Sequence, residues 1–177
     1  MNRFVIAEPQ NCIGCRTCEV ACAMAHAAGQ DAQPLNPENF KPRLTMVKNA
    51  TVSTVVLCRH CEDAPCVNAC PSGAIVYRND SVQVLQERCV GCKSCMVACP
   101  YGAMQVVSVP AAPTGLLKSR TTRAQALKCD LCDGRAEGPA CIGACPTHAL
   151  HMVDHDQMEA TLKKRQQAVL DTANIQL

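Results

Sequence analysis

Sixteen cysteines dominate the chemistry available to this chain of 177 residues, and they fall into four groups of four. The groups are Cys12, Cys15, Cys18, Cys22; Cys58, Cys61, Cys66, Cys70; Cys89, Cys92, Cys95, Cys99; and Cys129, Cys132, Cys141, Cys145. Thiols at such spacings serve as disulfides, zinc ligands or iron-sulfur ligands. A disulfide framework needs an oxidising compartment, and the opening MNRFVIAEPQNC lacks the apolar stretch and small-residue cleavage site of a secretory signal. Zinc ribbons present two C-x2-C knuckles separated by a longer stretch. Only the last group looks like that, and its Cys-Pro ending and repeated context decide against zinc. A [4Fe-4S] cubane wants four thiolates around a compact body. C-x2-C-x2-C, as at Cys89, Cys92 and Cys95, lets a tight loop curl around three corners with its N–H groups aimed at cluster sulfurs.

Residues 89–100 carry C-x2-C-x2-C-x3-C-P, the bacterial ferredoxin run, whose fourth cysteine ligates the other cluster. Four related runs in one chain predict four [4Fe-4S] clusters, with fewer clusters or [3Fe-4S] centres as the alternative. Each oxidised cluster with its thiolates carries about 2−, so cations near the ligands become useful. Arg16, Arg59, Lys93 and Lys128 lie next to or between ligand cysteines, where they could stabilise a reduced cluster. Each reads first as an ordinary solvent-exposed charge. His60 and His148 sit beside cysteines but are not needed as ligands, because both groups already supply four thiols; a surface or cluster-tuning role is expected. The chain has no G-x-G-x-x-G, Walker A or H-E-x-x-H motif. The expectation is a carrier of electrons that performs no bond chemistry, hence no catalytic residues.

The elements that must position these thiols follow from what surrounds them. There is no Trp, and the aromatic residues are Phe4, Phe40, Tyr77 and Tyr101, so large apolar bulk is scarce and the cysteine sites must help fill the core. Three groups end in Cys-Pro before a small-residue and apolar run: CPSGAIVY, CPYGAMQVV and CPTHALHMV. Each predicts a short helix ending at the proline, a turn and a strand. Further strands are expected at residues 3–7, 51–57 and 82–85. Ala23 follows Cys22 where the other groups have proline, so that helix is expected to run on through His26. DAQPLNPENFKPR predicts an extended surface connection. SVPAAPTGLLKSRTTRAQALK predicts an irregular insertion, solvated and basic through Lys118, Arg120, Arg123 and Lys128, with partner docking as its alternative role. After Val153, Asp154 or Asp156 is placed to cap a helix whose Met158, Leu162, Val169 and Leu170 share one side; it is expected to pack back on the body or to dock another subunit. The formal charge of +2 argues against nucleic acid as a partner. No apolar run approaches the roughly 18 residues of a membrane span, so a cytoplasmic protein is expected, unless a partner carries it out.

The motifs CIGCRTCEVAC, CRHCEDAPCVNACPSGAI, CVGCKSCMVACPYGAM and KCDLCDGRAEGPACIGACPTHAL resemble those of the four-cluster ferredoxin subunits that serve molybdopterin oxidoreductases. The resemblance runs over residues 1–153 and is strongest to the short HydN type associated with the cytoplasmic, formate-hydrogenlyase-linked formate dehydrogenase. It implies ligands that cross between groups. Cluster A would take Cys12, Cys15, Cys18 and Cys145; cluster B, Cys129, Cys132, Cys141 and Cys22. Cluster C would take Cys58, Cys61, Cys66 and Cys99; cluster D, Cys89, Cys92, Cys95 and Cys70. The implied fold is α+β: two ferredoxin-like modules, the inner (51–110) inserted in the outer (1–50 plus 111–153), with a C-terminal helical tail (154–177).

The implied function is a wire between the catalytic subunit of formate dehydrogenase, holding a molybdenum or tungsten pterin, and a further redox protein such as a hydrogenase or an NAD(P)-linked oxidoreductase. Two alternatives stand beside it. The same wire could serve a hydrogenase or another molybdopterin reductase, or the chain could be an accessory factor in formate dehydrogenase maturation.

Overall fold

The computed structural model describes residues 2–27, 34–110 and 122–173. Strand β1 (Phe4–Ala7) pairs antiparallel with the last strand, β8 (Leu150–Val153), in the register Phe4↔Val153 to Ala7↔Leu150. This pairing ties the first cysteine group to the strand that follows the last one. Val5 is fully buried beneath it.

Helix α1 (Thr17–Ala27) is long because nothing stops it after Cys22, whereas the other cysteine helices are cut short by proline. Helix α2 (Pro65–Asn68) starts on a proline whose missing N–H costs nothing in the first turn. Helix α3 (Ser94–Ala98) ends at Cys99, which turns extended at ψ 114° ahead of Pro100. Helix α4 (Ala140–Gly143) follows Pro139 and precedes the Cys145–Pro146 turn. The strand expected after each Cys-Pro pair is present: β4 (Ile75–Arg78), β6 (Gln105–Pro110) and β8.

The remaining strands complete four two-stranded antiparallel sheets among the described residues. β2 (Thr45–Lys48) pairs with β3 (Ser53–Val56), and Asn49 Oδ1 accepts the N–H groups of Thr51 and Val52 to tighten their turn. β4 pairs with β5 (Ser81–Val84) through Asn79 and Asp80, both at φ 52°, the left-handed pair that matches the twist of a two-residue hairpin. β6 pairs with β7 (Thr122–Leu127).

Two of these elements depart from expectation. β2 follows the proline-rich connection, which had no strand assigned beyond it. β7 and the end of β6 occupy both described ends of the stretch 108–128, expected to be irregular throughout; Lys118 and Arg120 lie outside the described residues. Cross-strand pairing overrode a weak local signal there, since TRAQAL alone has little strand propensity. The module limits expected at 50/51 and 110/111 both fall within hairpins, β2–β3 and β6–β7.

The buried residues form two clusters. One gathers Val5, Leu44, Val55, Leu57, Leu131 and Leu150 around Cys18, Cys22, Cys58, Cys129 and Cys141. The other gathers Ala64, Ile75, Val82, Met104 and Ala126 around Cys66 and Cys95. Cysteine thus takes the interior volume that aromatics fill elsewhere. The final helix, α5 (His155–Ala173), is capped by Asp154, whose Oδ1 accepts the Gln157 N–H at 2.9 Å. Met158 is half-buried against the β1–β8 sheet; from Glu159 to Asp171 the residues are exposed, with Thr161, Leu162 and Arg165 lining a groove beside that sheet.

Candidate iron-sulfur centres

Three small cavities lie among the cysteine loops, each with about 330 Å³ of atom-free space counted out through its opening to solvent. The first is lined by Cys12, Cys15, Cys18 and Cys145, the second by Cys58, Cys61, Cys66 and Cys99, and the third by Cys70, Cys89, Cys92 and Cys95. In each, three cysteines come from one loop and the fourth from the start of a Cys-Pro turn elsewhere. Helix packing makes these exchanges: α1 lies against α4, and α2 against α3. Of the four remaining thiols, Cys22, Cys129 and Cys141 are buried in one core and Cys132 is half-buried; the charges of Cys129, Cys22 and Cys132 all act on Cys141.

Loop geometry serves these sites. Arg16, His60, Lys93 and Leu131 all adopt positive φ, which reverses the chain between successive ligand positions. Gly91 (φ 73°) passes so close to β7 that a Cβ would sit 2.3 Å from Ala124 Cβ. Donors point at the sulfurs. The N–H groups of Arg43, His60, Ala74 and Ala149 reach Cys22, Cys58, Cys70 and Cys145 at 3.3–3.4 Å.

Sequence reasoning missed a set of hydroxyls. Thr17 Oγ1 donates to Cys15 Sγ at 3.2 Å, and Ser94, Ser72 and Thr147 lie 3.4, 3.6 and 3.7 Å from Cys92, Cys70 and Cys145. All four stand two residues after a cysteine, so C-x-[ST] was the available signal. They flank only the first and third cavities, the ones that also carry the two exposed cysteines, Cys15 and Cys92. Thr17 and Ser94 hold the Cys15 and Cys92 thiols below their usual value. At Cys70 and Cys145 burial acts upward, but hydrogen bonds from Ser72 and Ala74, and from Ala149 and Thr147, prevail and lower them. Burial pushes Cys18 and Cys66 up to about 11, and Cys129 and Cys141 up further.

A second missed feature braces the buried group. His26, four residues after Cys22 on α1, sends Nδ1–H to the Cys22 carbonyl (2.7 Å) and Nε2–H to Asp130 (3.0 Å). Asp130 also pairs with Arg43 and accepts the Cys132 N–H at 3.0 Å. The ligand atoms of His26, Asp130 and Cys132 lie within 4.8 Å of one another, but the carboxylate is already committed to these partners.

Lys128, expected at the surface, and His60, expected in a surface or cluster-tuning role, are both buried. His60 is 1% exposed; its Nδ1 accepts the Val82 N–H at 3.0 Å, while Nε2 is buried without a partner. Burial and the Lys128 charge push it down to about 3, so it is neutral, with an orphan donor, in the loop between Cys58 and Cys61. Lys128 is 2% exposed, its Nζ donating to the carbonyls of Val82 and, at 2.6 Å, Cys129. The basic segment therefore turns one of its cations inward because β7 delivers it straight into the core. Of the other cations, Arg16 is exposed and pairs with Glu19, and Arg59 stands 6.0 Å from the Phe4 ring centroid. His148 takes a positive φ of 51° in its turn.

Sets of four thiols around small cavities, N–H groups on the sulfurs and an orphaned buried donor fit a sulfide-rich, negatively charged group better than a zinc ion, which draws its four ligands to one point. Such a site defines an iron-sulfur protein. Residues 50–155 match the model of a 4Fe-4S dicluster domain, and residues 11–75 match a second 4Fe-4S dicluster domain model. The chain belongs to this 4Fe-4S dicluster family, within its HydN-like electron transport proteins. It is 53% identical over 173 residues to electron transport protein HydN of Escherichia coli (strain K12), covering 96% of this chain and 99% of the relative. It is 50% identical over 169 residues to the putative electron transport protein YsaA (96% and 100% covered), and 40% identical over 190 residues to hydrogenase-4 component A (94% and 89% covered), both of Escherichia coli (strain K12). Two dicluster matches and sixteen cysteines imply four [4Fe-4S] clusters as the cofactors.

Proposed function

We propose that this electron transport protein relays electrons, through four clusters ligated in crossed sets, between the catalytic subunit of formate dehydrogenase, with its molybdenum or tungsten pterin, and a further redox protein. The observation that carries the reading is the lining of the three cavities by four cysteines each, drawn from separate segments. The ligand sets are Cys12, Cys15, Cys18 and Cys145 for A; Cys129, Cys132, Cys141 and Cys22 for B; Cys58, Cys61, Cys66 and Cys99 for C; and Cys89, Cys92, Cys95 and Cys70 for D. Two nested modules, one built on A and B and one on C and D, hold them, with the β2–β3 and β6–β7 hairpins as the seams.

When bound, each [4Fe-4S] group supplies a one-electron site. The protein's own work is to fix the thiolates, donate hydrogen bonds to sulfur and keep water from the interior pair. In this reading A and D, with exposed Cys15 and Cys92 and one buried cysteine each, meet partners, whereas B, with Cys22, Cys129 and Cys141 buried, and C, with Cys58 and Cys66 buried, lie deeper. Sixteen cysteines committed to clusters rather than to disulfides suit a reducing compartment, which favours a cytoplasmic location. Among the described residues no helix is long and apolar enough to cross a membrane.

The similarity to HydN supports a formate-linked partner, and the similarity to hydrogenase-4 component A favours a second reading in which the catalytic partner is a hydrogenase. The anaerobic protein, mixed with formate and catalytic amounts of a molybdenum formate dehydrogenase, is expected to lose its visible cluster absorbance. Omitting either component should prevent this. Reduction by hydrogenase and hydrogen, with none by formate and its dehydrogenase, would replace the first reading with the second.

A further inference from the structure

Lys128 is a buried cation with no anionic partner among the described residues. Its side chain is 2% exposed, and its hydrogen bonds go to two neutral acceptors, the carbonyls of Val82 and Cys129. No carboxylate pairs with it among the described residues. The nearest acid in sequence, Asp130, is engaged with Arg43 and His26. His60 cannot share the load: its Nδ1 accepts the Val82 N–H, so it is a neutral imidazole on the other side of the same residue. A buried ammonium in this state is costly unless an anion stands near it.

The position of the ammonium identifies that anion. Val82 lines the cavity of Cys58, Cys61, Cys66 and Cys99, and Cys129 belongs to the buried group with Cys22 and Cys141. Nζ therefore stands where the two interior sites meet, between groups that each carry about 2− when loaded. We propose that Lys128 is the shared counter-charge of the two interior clusters and sets their reduction potentials, leaving those of the two exposed clusters alone. This rests on the four-cluster reading. Burial penalises the extra negative charge of a reduced cluster, so without a cation the interior pair would form a barrier in the middle of the wire. The ammonium offsets that penalty and keeps the path level. Arginines and lysines at the surface cannot do this, because solvent screens them.

The test compares full-length, anaerobically loaded protein with Lys128→Gln, Lys128→Met and Lys128→Arg. Stepwise dithionite titration is followed by electron paramagnetic resonance, with iron and sulfide measured on the same samples. Gln retains the ability to donate hydrogen bonds without the charge, Met removes both, and Arg retains charge. With Gln and with Met, two of the four midpoints are expected to fall and two to hold; Arg is expected to leave all four near wild type. Unchanged midpoints, an equal shift of all four, or a shift of only one would overturn the proposal. Were Gln and Met to lose about eight irons while Arg kept about sixteen, the counter-charge would be needed to hold the interior pair, which supports the same inference. Loss in Arg as well would make Lys128 a structural strut and overturn it. A wild-type protein holding about eight irons would instead sink the four-cluster reading itself.

Discussion

Asp130 lies between Cys129 and Cys132, where a carboxylate would repel a negatively charged cluster if it faced one. It turns away, into His26 and Arg43, and its ion pairs fix the backbone that carries Cys132. Burial acts to lower His26, but its hydrogen bonds to Asp130 and Cys22 prevail and raise it to about 10. The folded value lies above the ordinary 6.5, so the stabilisation is full below about pH 6.5 and is lost as pH rises through about 10. Asp130 is held well below its ordinary range; burial acts upward there, and the His26 and Arg43 contacts outweigh it, so that its contribution fails only as pH falls into the acid range. His26→Gln should therefore cost about 2 kcal/mol near pH 6, with the deficit shrinking toward pH 10. Thermal unfolding of the loaded protein across that interval checks this, and a deficit independent of pH would contradict it. His26 was hard to see in the sequence because it reads as a helix-surface histidine. Its partner lies 104 residues away, and only folding introduces them. Lys128 was misread for the same reason, since a lysine in a basic, proline-rich stretch gives no local sign of burial.

The cysteine elements were more legible. Proline after the fourth cysteine stops a helix and starts a turn by local sterics alone, so the helix–turn–strand units, and the longer α1 where Ala23 replaces proline, could be read directly. What spacing could not say is which fourth cysteine faces which three, because that depends on how α1 meets α4 and α2 meets α3. The proposed crossing makes a sharp prediction. Cys99→Ser should perturb the cluster held by Cys58, Cys61 and Cys66 more than the one held by Cys89, Cys92 and Cys95; cluster-resolved paramagnetic resonance or iron loss reports it, and the opposite pattern would refute the pairing. β2 and β7 were illegible because their strand character comes from partners rather than composition. β7 also constrains a loop: Gly91→Ala would drive a Cβ to 2.3 Å from Ala124 Cβ and force an L residue to φ 73°. A destabilisation of about 2–4 kcal/mol follows, with cluster D the first to be lost. A thermal midpoint unchanged in this variant would show that the hairpin gives way freely.

Across the whole molecule, exposure and donors divide the sites into two kinds. The first and third cavities have an exposed cysteine and a pair of hydroxyls each, which suits sites that meet partners. The interior sites have neither; like the other two they take backbone N–H groups on sulfur, here from Arg43 and His60, and the buried Lys128 ammonium is theirs alone. The arrangement accounts for a chain with few aromatics and sixteen cysteines, since most of its interior is built around what those cysteines hold. Both the wire and its interior counter-charge require four clusters present together. Iron and acid-labile sulfide on anaerobically prepared protein, with one-electron equivalents counted during reductive titration, test this most directly. About sixteen irons, sixteen sulfides and four electron equivalents per chain are predicted; about eight irons, or zinc without sulfide, would contradict the account.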